Sequence, residues 1–501
     1  MLKRIDILKY KWIIAIFILA LLVRTLGISH GFPFIFHPDE PAVVRSAMGF
    51  RFNLNPKHFD WPSLHFYLNY FVFSFFISFR SLLQILNLKK MIISVYPLLW
   101  RDPLVFYLIS RFFNAFLGAF TVVPIYLIGK RLFNSKVGLL SALVLALFPF
   151  HSYSSHFALV DVPMVFWLTW GIYFTSGILK ENNLKNYIYA GLFFGFSAST
   201  KYNGGLGVFT IVVAHCIRIF LYRNEKLLSA SGLSKFFIAG LFSILGFVFG
   251  TPYSVLDFDK FIRSDSPIGA LWQFTNVGKV NFISHIQQFV SSLTYGFAND
   301  FGYSFLLLFI ASPIVFFSKA LKKEDKFKVA FLFIPAIVLF YYISGFEKNR
   351  SHYYAITYPY VVLIVGYVLF LCFNLLRENK KIVLYLIFSL VFIPPFFLIL
   401  KDDFLFIRKD TRVMLYNYIS SHQDRSNTVF YSSNSLSIVL DKFSHLQRKK
   451  VNGELFRNRM SKKILDKGIF LTTKPQEGLK LSSKIGNRLR RGPEIYLYEV
   501  N

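Results

Sequence analysis

Long apolar runs alternate with short polar segments along most of the chain. Eleven of these runs approach the roughly 20 residues that a helix needs to cross the hydrocarbon core of a bilayer. The pattern therefore predicts an all-α polytopic membrane protein with about 11 transmembrane helices. The runs lie near residues 12–29, 104–128, 137–156, 162–179, 187–200, 204–222, 236–252, 301–318, 329–345, 353–376 and 382–400.

A twelfth apolar run, near residues 64–87, is ambiguous because it contains Arg80 and begins just after Trp61-Pro62. If it lies in the membrane interface, the side of the N-terminus carries 21 Lys and Arg residues against 13 on the other side; if it spans, the counts become 13 and 20. Since cytoplasmic loops are enriched in Lys and Arg, the first arrangement is favoured. We predict a cytoplasmic N-terminus, an outer C-terminus and an in-plane or re-entrant helix; twelve spans are the alternative.

The pattern changes near Lys401, where apolar runs of membrane length end and polar residues dominate. This change predicts a transmembrane domain over residues 1–400 and a small extracytoplasmic α/β domain over residues 401–501. Within the first domain, residues 30–103 and 253–300 are the two long outer loops. In the second, we expect a helix over Asp410–Ser421 and strands at Thr428–Tyr431, Gly468–Thr472 and Ile495–Val500.

Composition agrees with a membrane protein: 54% of the 501 residues are hydrophobic and 19% are aromatic. The net charge of +30 does not indicate nucleic-acid binding, because Lys and Arg concentrate in short loops between apolar runs, where they set topology and contact anionic lipid. The N-terminal run lacks a small-residue cleavage site, which favours an uncleaved first span. Cys216 and Cys372 both lie in apolar segments and form no disulfide framework.

Two adjacent acids, Asp39 and Glu40, follow the first span in the segment His37-Pro38-Asp39-Glu40. Carboxylates beside a membrane are costly where they are desolvated, and an ionised carboxylate near an acceptor hydroxyl is suited to act as a general base. The structural alternative is a solvated loop, or a helix cap at Asp39.

His65, just beyond Trp61-Pro62-Ser63-Leu64, is a weaker substrate-binding candidate, because that segment also fits an aromatic belt at headgroup depth.

Two further candidates lie at the second and fourth spans. Arg111 is about seven residues into the second span, where a guanidinium needs a partner, either a lipid-linked phosphate or one of Asp39, Glu40 and Asp161. Asp161 precedes Val162-Pro163 at the start of the fourth span. It fits a helix start, but it also fits acceptor positioning or a divalent cation held by oxygen ligands.

Cationic candidates lie at two other predicted outer loops. Lys201 precedes Gly204-Gly205, and backbone N–H groups of such a turn, together with the Lys charge, suit an anion. Arg350 and His352 lie at a helix start beside Tyr353-Tyr354, and Arg recognises phosphate well. Snorkelling and a plain surface loop are the structural alternatives. The chain has no P-loop, no dinucleotide fingerprint and no metalloprotease motif, so a nucleotide-driven function lacks its usual phosphate cradle.

These motifs resemble the GT-C superfamily of membrane glycosyltransferases, specifically bacterial relatives of protein O-mannosyltransferases and of the lipid A aminoarabinose transferase. The resemblance covers essentially the whole chain and is specific to the family rather than to the substrate. Its elements are His37-Pro38-Asp39-Glu40, Trp61-Pro62-Ser63-Leu64, the run from Arg111 to Gly118, the run from Gly129 to Phe133, Asp161-Val162-Pro163, and the start of the outer domain at Asp410-Thr411-Arg412-Val413.

The resemblance implies a GT-C fold and an inverting displacement in which a polyprenyl-phosphate-linked sugar is transferred to an extracytoplasmic protein, lipid A or glycan. It implies Asp39 as general base, Glu40 as its assistant, and Arg111 holding the leaving phosphate or the acidic pair. The family's Pro-Pro or Lys-Pro is Trp61-Pro62 here, so Lys201 or Arg350 is the candidate replacement for a phosphate-binding lysine. The alternatives are a lipid-linked glycan polymerase or ligase, a flippase and a structural scaffold.

Overall fold

A computed structural model describes residues 7–50, 53–95, 97–222, 229–317, 321–375, 381–421, 429–432, 436–441, 443, 448–450, 468–476, 479–487 and 489–500. The chain divides into two compact units. The membrane unit comprises Met1–Thr25 and Asp39–Leu400, and the second unit comprises Leu26–Pro38 and Lys401–Asn501.

The regular secondary structure described in the membrane unit is helical, and its last helix ends seven residues into the second unit. Its helices are α1 (Ile7–Thr25), α2 (Glu40–Gly49), α3 (Leu64–Ile85), α4 (Lys89–Val95), α5 (Leu104–Phe120), α6 (Val122–Leu132), α7 (Ser135–Ala146), α8 (Pro149–Ser154), α9 (Asp161–Lys180), α10 (Leu184–Thr200), α11 (Phe209–Tyr222), α12 (Ala230–Gly250), α13 (Tyr253–Leu256), α14 (Phe258–Phe261), α15 (Ala270–Thr275), α16 (Phe282–Ser291), α17 (Phe297–Phe301), α18 (Tyr303–Phe317), α19 (Lys323–Ser344), α20 (Tyr358–Leu375) and α21 (Lys381–Ile407). Short 3₁₀ segments lie at Pro97–Trp100, Tyr202–Val208 and Ser351–Thr357, and a π-helical turn at Ser292–Gly296.

Eight helical stretches of the described chain are long and apolar enough to cross a membrane. Seven of them coincide with predicted runs, and helices α1, α7, α10 and α18 cover the other four runs but are shorter or more charged. The eighth stretch is α3, so the ambiguous run is long enough to span. The class of fold is confirmed, whereas the number of eleven spans and the in-plane position of α3 remain predictions.

Helices α9, α10 and α12 pack closely because glycine removes side chains at their contacts. A Cβ atom on Gly191 would lie 2.3 Å from the carbonyl oxygen of Ala239, and one on Gly195 would lie 2.3 Å from that of Ser243. Without a hydrophobic driving force between helices in lipid, such close backbone approach is the usual source of helix association. Helix α9 is more enclosed than α10, with 15 of its 20 residues buried against 8 of 17.

The second unit contains a five-stranded mixed sheet. Its strands are β1 (Val429–Ser432), β2 (Arg448–Lys450), β3 (Gly468–Thr472), β4 (Leu481–Ile485) and β5 (Ile495–Val500), in the order β2-β1-β3-β5-β4. Strand β1 is parallel to β2 and β3, and β5 is antiparallel to β3 and β4. Helix α22 (Thr411–Ser421) buries Val413, Leu415 and Ile419 in the unit's core, as its apolar pattern predicts.

Candidate active site

The two adjacent acids occupy different environments. Helix α2 begins at Glu40, whose side chain is fully buried, while Asp39 occupies the N-cap position and is half-buried. Asp39 makes no side-chain capping bond to the helix. A capping role for the Asp39 side chain is therefore not supported, and the two adjacent carboxylates differ in their burial.

Glu40 forms a buried, bidentate ion pair with Arg111. The guanidinium donates from Nε to Oε1 at 2.7 Å and from Nη2 to Oε2 at 2.8 Å, and both side chains are at most 1% exposed. The backbone N–H of Ala158 donates a third bond to Glu40 Oε1 at 3.0 Å. Sequence analysis predicted either a lipid-linked phosphate or a carboxylate as the partner of Arg111, and the structure shows the carboxylate of Glu40.

Helix α5 also fixes the turn that leads into α9. Asn114 lies three residues after Arg111, on the same face, and its Nδ2 donates to the carbonyl oxygens of Phe157 at 2.7 Å and Leu159 at 2.6 Å. A Cβ atom on Gly118 would lie 2.5 Å from Ser155 Oγ, so α5 approaches this turn closely. The Glu40–Arg111 pair and Asn114 thereby set the position at which Asp161 begins α9.

Asp161 accepts a hydrogen bond from Lys201 Nζ at 2.5 Å, and the two side chains are 12% and 14% exposed. Lys201 ends α10 and also lies 5.2 Å from the ring centroid of Tyr353. The sequence indicated both charges but not their pairing, since 40 residues separate them. Asp161 starts α9 as its first residue, with Val160 rather than Asp161 at the cap position.

His352 is the residue around which the other charged candidates lie. His352, in the 3₁₀ segment before α20, lies within electrostatic range of Asp39, Asp161, Lys201 and Arg350. These residues come from four separate parts of the membrane unit. We refer to Asp39, Asp161, Lys201, Arg350 and His352 as the charged cluster. Two carboxylates and two cationic side chains around one imidazole suit a substrate that carries both hydroxyl groups and a phosphate.

His65 does not belong to this cluster. It is fully buried, its ring stacks on Phe113 with centroids 5.9 Å apart, and its Nε2 lies 3.0 Å from Asn69 Nδ2. The suggestion that His65 binds substrate is therefore not supported, because packing against α5 removes its ring from the surface.

The sequence did not predict a short series of hydrogen-bonded polar side chains beside the Trp61-Pro62 segment. His58 Nδ1 lies 2.5 Å from Asp60 Oδ1, and His58 Nε2 lies 2.9 Å from Ser46 Oγ in α2. The only signal in the sequence is the His-x-Asp spacing, which does not reveal that α2 is the neighbour. These bonds fix the entry to α3 against the helix that carries the acidic pair.

The described residues offer little to a resident metal ion. None of them form a group of three or more His, Cys, Asp and Glu side chains that could hold a metal ion. In the charged cluster, the Asp161 carboxylate is already paired with Lys201, whose ammonium competes with a cation. The charged cluster therefore offers few of the oxygen ligands that the candidate divalent cation would need.

Comparison with known proteins agrees with the predicted resemblance. Residues 108–249 match the profile of the family described as dolichyl-phosphate-mannose-protein mannosyltransferase. This segment includes Arg111, Asp161 and Lys201, and it runs from α5 to the end of α12. No curated protein sequence matches the chain.

Two solved structures of the Archaeoglobus fulgidus oligosaccharyltransferase share the architecture. The AglB complex with an inhibitory peptide and a dolichol-phosphate is 13% identical, with a TM-score of 0.50 over 92% of this chain and 69% of that one. The complex with Zn and sulfate is 13% identical, with a TM-score of 0.52 over 86% of this chain and 62% of that one. ArnT from Cupriavidus metallidurans bound to undecaprenyl phosphate covers 98% of both chains at 12% identity and a TM-score of 0.47.

The chain has the GT-C fold. The fold and the match of residues 108–249 to the mannosyltransferase profile agree with the predicted resemblance to membrane glycosyltransferases. Every residue of the charged cluster lies in the membrane unit, so the helices of the fold and the candidate site are found in the same unit.

Proposed function

We propose that this GT-C protein transfers a sugar from a polyprenyl-phosphate donor to a hydroxyl-bearing acceptor outside the cytoplasm. The observation that carries the proposal is the charged cluster, in which Asp39 and Asp161 share one neighbourhood with Lys201, Arg350 and His352. A base and a phosphate-binding surface are the two elements that such a transfer needs. The related structures solved with dolichol-phosphate and undecaprenyl phosphate support a donor of this type.

In the proposed reaction, the acceptor oxygen attacks the anomeric carbon while the bond from that carbon to the phosphate oxygen breaks. Asp39 takes the proton of the acceptor hydroxyl, and the polyprenyl phosphate leaves with the electron pair of the broken bond. Arg350, which is exposed, and Lys201 stabilise the negative charge that develops on the phosphate. A single base acting in a single displacement inverts the anomeric centre. The buried pair of Glu40 and Arg111 holds the start of α2, and with it Asp39, in position.

The class of acceptor and the identity of the sugar are questions separate from the type of reaction. Protein, lipid A and glycan acceptors all agree with the family resemblance, and either a hexose or a pentose fits the transfer chemistry. One oligosaccharyltransferase structure carries a tethered acceptor peptide, which supports a macromolecular acceptor. Because the donor set in the charged cluster does not favour a divalent cation, no step of the proposed reaction is assigned to one. Mass spectrometry of envelope glycans with and without the gene would identify the acceptor.

The contacts of α9 support an active site that faces away from the cytoplasm, in a cell membrane such as the bacterial inner membrane. Asp161 is at the N-terminal end of this helix, which rises about 30 Å over its 20 residues. Near the other end, Arg131 donates to the Tyr173 carbonyl at 2.7 Å and Arg218 to the Leu179 carbonyl at 3.0 Å. Since basic residues concentrate on the cytoplasmic side, the charged cluster belongs to the outer side.

A labelling experiment checks this orientation. In a chain whose native cysteines Cys216 and Cys372 are replaced by serine, we expect Ser264→Cys in intact cells to react with a membrane-impermeant maleimide. Glu181→Cys, just after α9, should react only after the cells are permeabilised. Both positions are exposed. Labelling of Glu181→Cys but not of Ser264→Cys in intact cells would place the site in the cytoplasm and contradict the proposal.

A reconstitution assay tests the proposed function. We expect the full chain in nucleotide-free proteoliposomes to consume polyprenyl-phosphate-linked sugar when cell-envelope extract is added as acceptor, and to leave nucleotide sugar untouched. Consumption distinguishes a transferase from a flippase, which moves the lipid-linked sugar without breaking its glycosyl bond. Products with repeated sugar units would indicate a polymerase, and products carrying a whole preassembled glycan would indicate a ligase. Turnover of nucleotide sugar alone would contradict the proposal.

A further inference from the structure

A polar cavity lies in the membrane unit, and none of the predicted site residues lines it. Its volume is about 470 Å³, within the range of about 300–1,000 Å³ that is usual for ligand pockets. We call it the Asp300 pocket. The side chains that matter here are Ser291, Ser292, Tyr295, Asp300, Asn349 and Ser351.

The pocket is built where the second predicted outer loop meets the segment before α20. The carbonyl of Gly278 accepts from the N–H of Glu347 at 3.3 Å, and the carbonyl of Val277 accepts from that of Lys348 at 3.2 Å. A π-helical turn over Ser292–Gly296 forms another part of the wall. Such turns are rare and occur frequently at functional sites, because they redirect side chains that a regular helix would turn away.

The chemistry of the lining differs from that of the charged cluster. Among the described residues that line the pocket, two are carboxylates, Asp300 and Glu347, and none is Lys or Arg. A phosphate would therefore be repelled. Amide and hydroxyl groups complete the polar part of the wall, and Asn349 Nδ2 donates to Ser292 Oγ at 2.9 Å. Groups of this kind exchange hydrogen bonds with neutral hydroxyl-rich molecules.

The carboxyl group of Asp300 has a shifted pKa. Burial raises the pKa of its carboxyl to about 6, and a hydrogen bond with Ser351 offsets part of this rise. At neutral pH the carboxylate is mostly ionised and accepts hydrogen bonds, although its desolvation is only partly compensated. A hydroxyl-bearing ligand would supply the missing donors. The aromatic ring of Tyr295, 74% exposed, offers an apolar face to the C–H side of a sugar ring.

The pocket adjoins the charged cluster. Ser351, which lines the pocket, stands between Arg350 and His352 in the sequence. Buried Tyr358 lies within electrostatic range of both Asp300 and Asp161. A molecule in the pocket would consequently reach toward the place where the proposed transfer occurs.

We infer that the Asp300 pocket binds a neutral sugar unit of the acceptor, so that the acceptor of this enzyme is itself a glycan or glycoconjugate. The inference rests on the proposed function and adds the acceptor's chemical class to it. The phosphate of the donor binds at the cationic residues, and the uncharged glycan binds beside them in the acidic, hydroxyl-lined pocket.

Binding of simple glycosides tests the inference. The probes are methyl glycosides of glucose, galactose and mannose and the 6-phosphates of the same glycosides, measured by saturation-transfer NMR on the full chain in detergent. We expect at least one neutral glycoside to bind and its phosphate to bind at least about tenfold more weakly. Ser292→Val and Asp300→Asn should each weaken neutral binding by about tenfold, because each removes a hydrogen-bonding group that lines the pocket.

Thr294→Val is the matched control. It removes a hydroxyl group from the same π-helical turn at a position that does not line the pocket, and we expect it to bind like wild type. The inference is overturned if no neutral glycoside binds, if phosphates bind better, or if Thr294→Val and Ser292→Val lose binding equally. Asp39→Asn should keep glycoside binding while it loses transfer. Absence of glycoside binding would overturn the inference about the pocket, whereas absence of sugar transfer by the wild-type protein would overturn the proposed function. The two results are therefore distinguishable.

Discussion

Replacing Asp39 with asparagine should lower the rate of sugar transfer by about 10²- to 10⁴-fold, which is the usual contribution of a positioned general base. Asparagine keeps the size of the side chain but cannot accept the proton of the acceptor hydroxyl. The protein should stay folded, since Asp39 is only half-buried and asparagine has the same shape. The measurement is the initial rate of product formation by purified protein at equal concentration, together with its melting temperature.

Asp265→Asn provides the matched control. Asp265 is an exposed acid in the second predicted outer loop, paired with Arg263 at 3.0 Å, and it lies outside the charged cluster. We expect this variant to transfer sugar at the wild-type rate. An Asp39→Asn variant that is folded and turns over like wild type would refute the assignment of the base.

The second large effect concerns stability. Glu40→Gln should destabilise the membrane unit by about 3–5 kcal/mol, because it leaves the buried Arg111 guanidinium without its carboxylate. Arg111→Met should cost a similar amount, since it leaves Glu40 buried and unpaired by a cation. The free energy of unfolding, or the melting temperature in a single detergent, is the quantity to compare.

The double variant Glu40→Leu/Arg111→Met separates folding from function. Apolar replacement of a buried ion pair is often neutral, so this variant should recover most of the lost stability. Its transfer rate should stay low if the pair positions Asp39. Two single variants as stable as wild type would show that the pair contributes little, and full activity of the double variant would remove its positioning role.

The helical class of the fold and three of the five described strands, β1, β3 and β5, follow from apolar periodicity, because burial in lipid and burial in a sheet leave different patterns. Strands β2 and β4 and the mixed pairing of the sheet were not predicted. The number of spans does not follow in the same way. Helix α3 has the length and composition of a span, and only charge counting argued that it lies in the interface. Such counting registers loop charges, whereas the position of a helix also depends on packing against its neighbours.

The candidate site was predictable as a set of charges on one side of the membrane, but not as a set of pairs. Each charge stands near the end of a predicted span, so the side it occupies follows from the number of spans that precede it. The bond between Lys201 and Asp161, and the choice of Glu40 rather than Asp39 as the partner of Arg111, depend on helix rotation and tight packing at Gly118. Asp300 was missed because one acid among aromatic residues gives no pattern until its loop is folded.

The most direct test of the proposed chemistry uses a polyprenyl-phosphate sugar whose bridging oxygen, between the anomeric carbon and phosphorus, is labelled with ¹⁸O. Attack at the anomeric carbon predicts that wild-type protein releases polyprenyl phosphate retaining all of the label, as measured by mass spectrometry, while the glycosylated acceptor contains none. Label in released free sugar, with none in the polyprenyl phosphate, would mean that the phosphorus–oxygen bond breaks instead. That result, or wild-type protein that leaves the lipid-linked sugar intact, would contradict glycosyl transfer at the charged cluster.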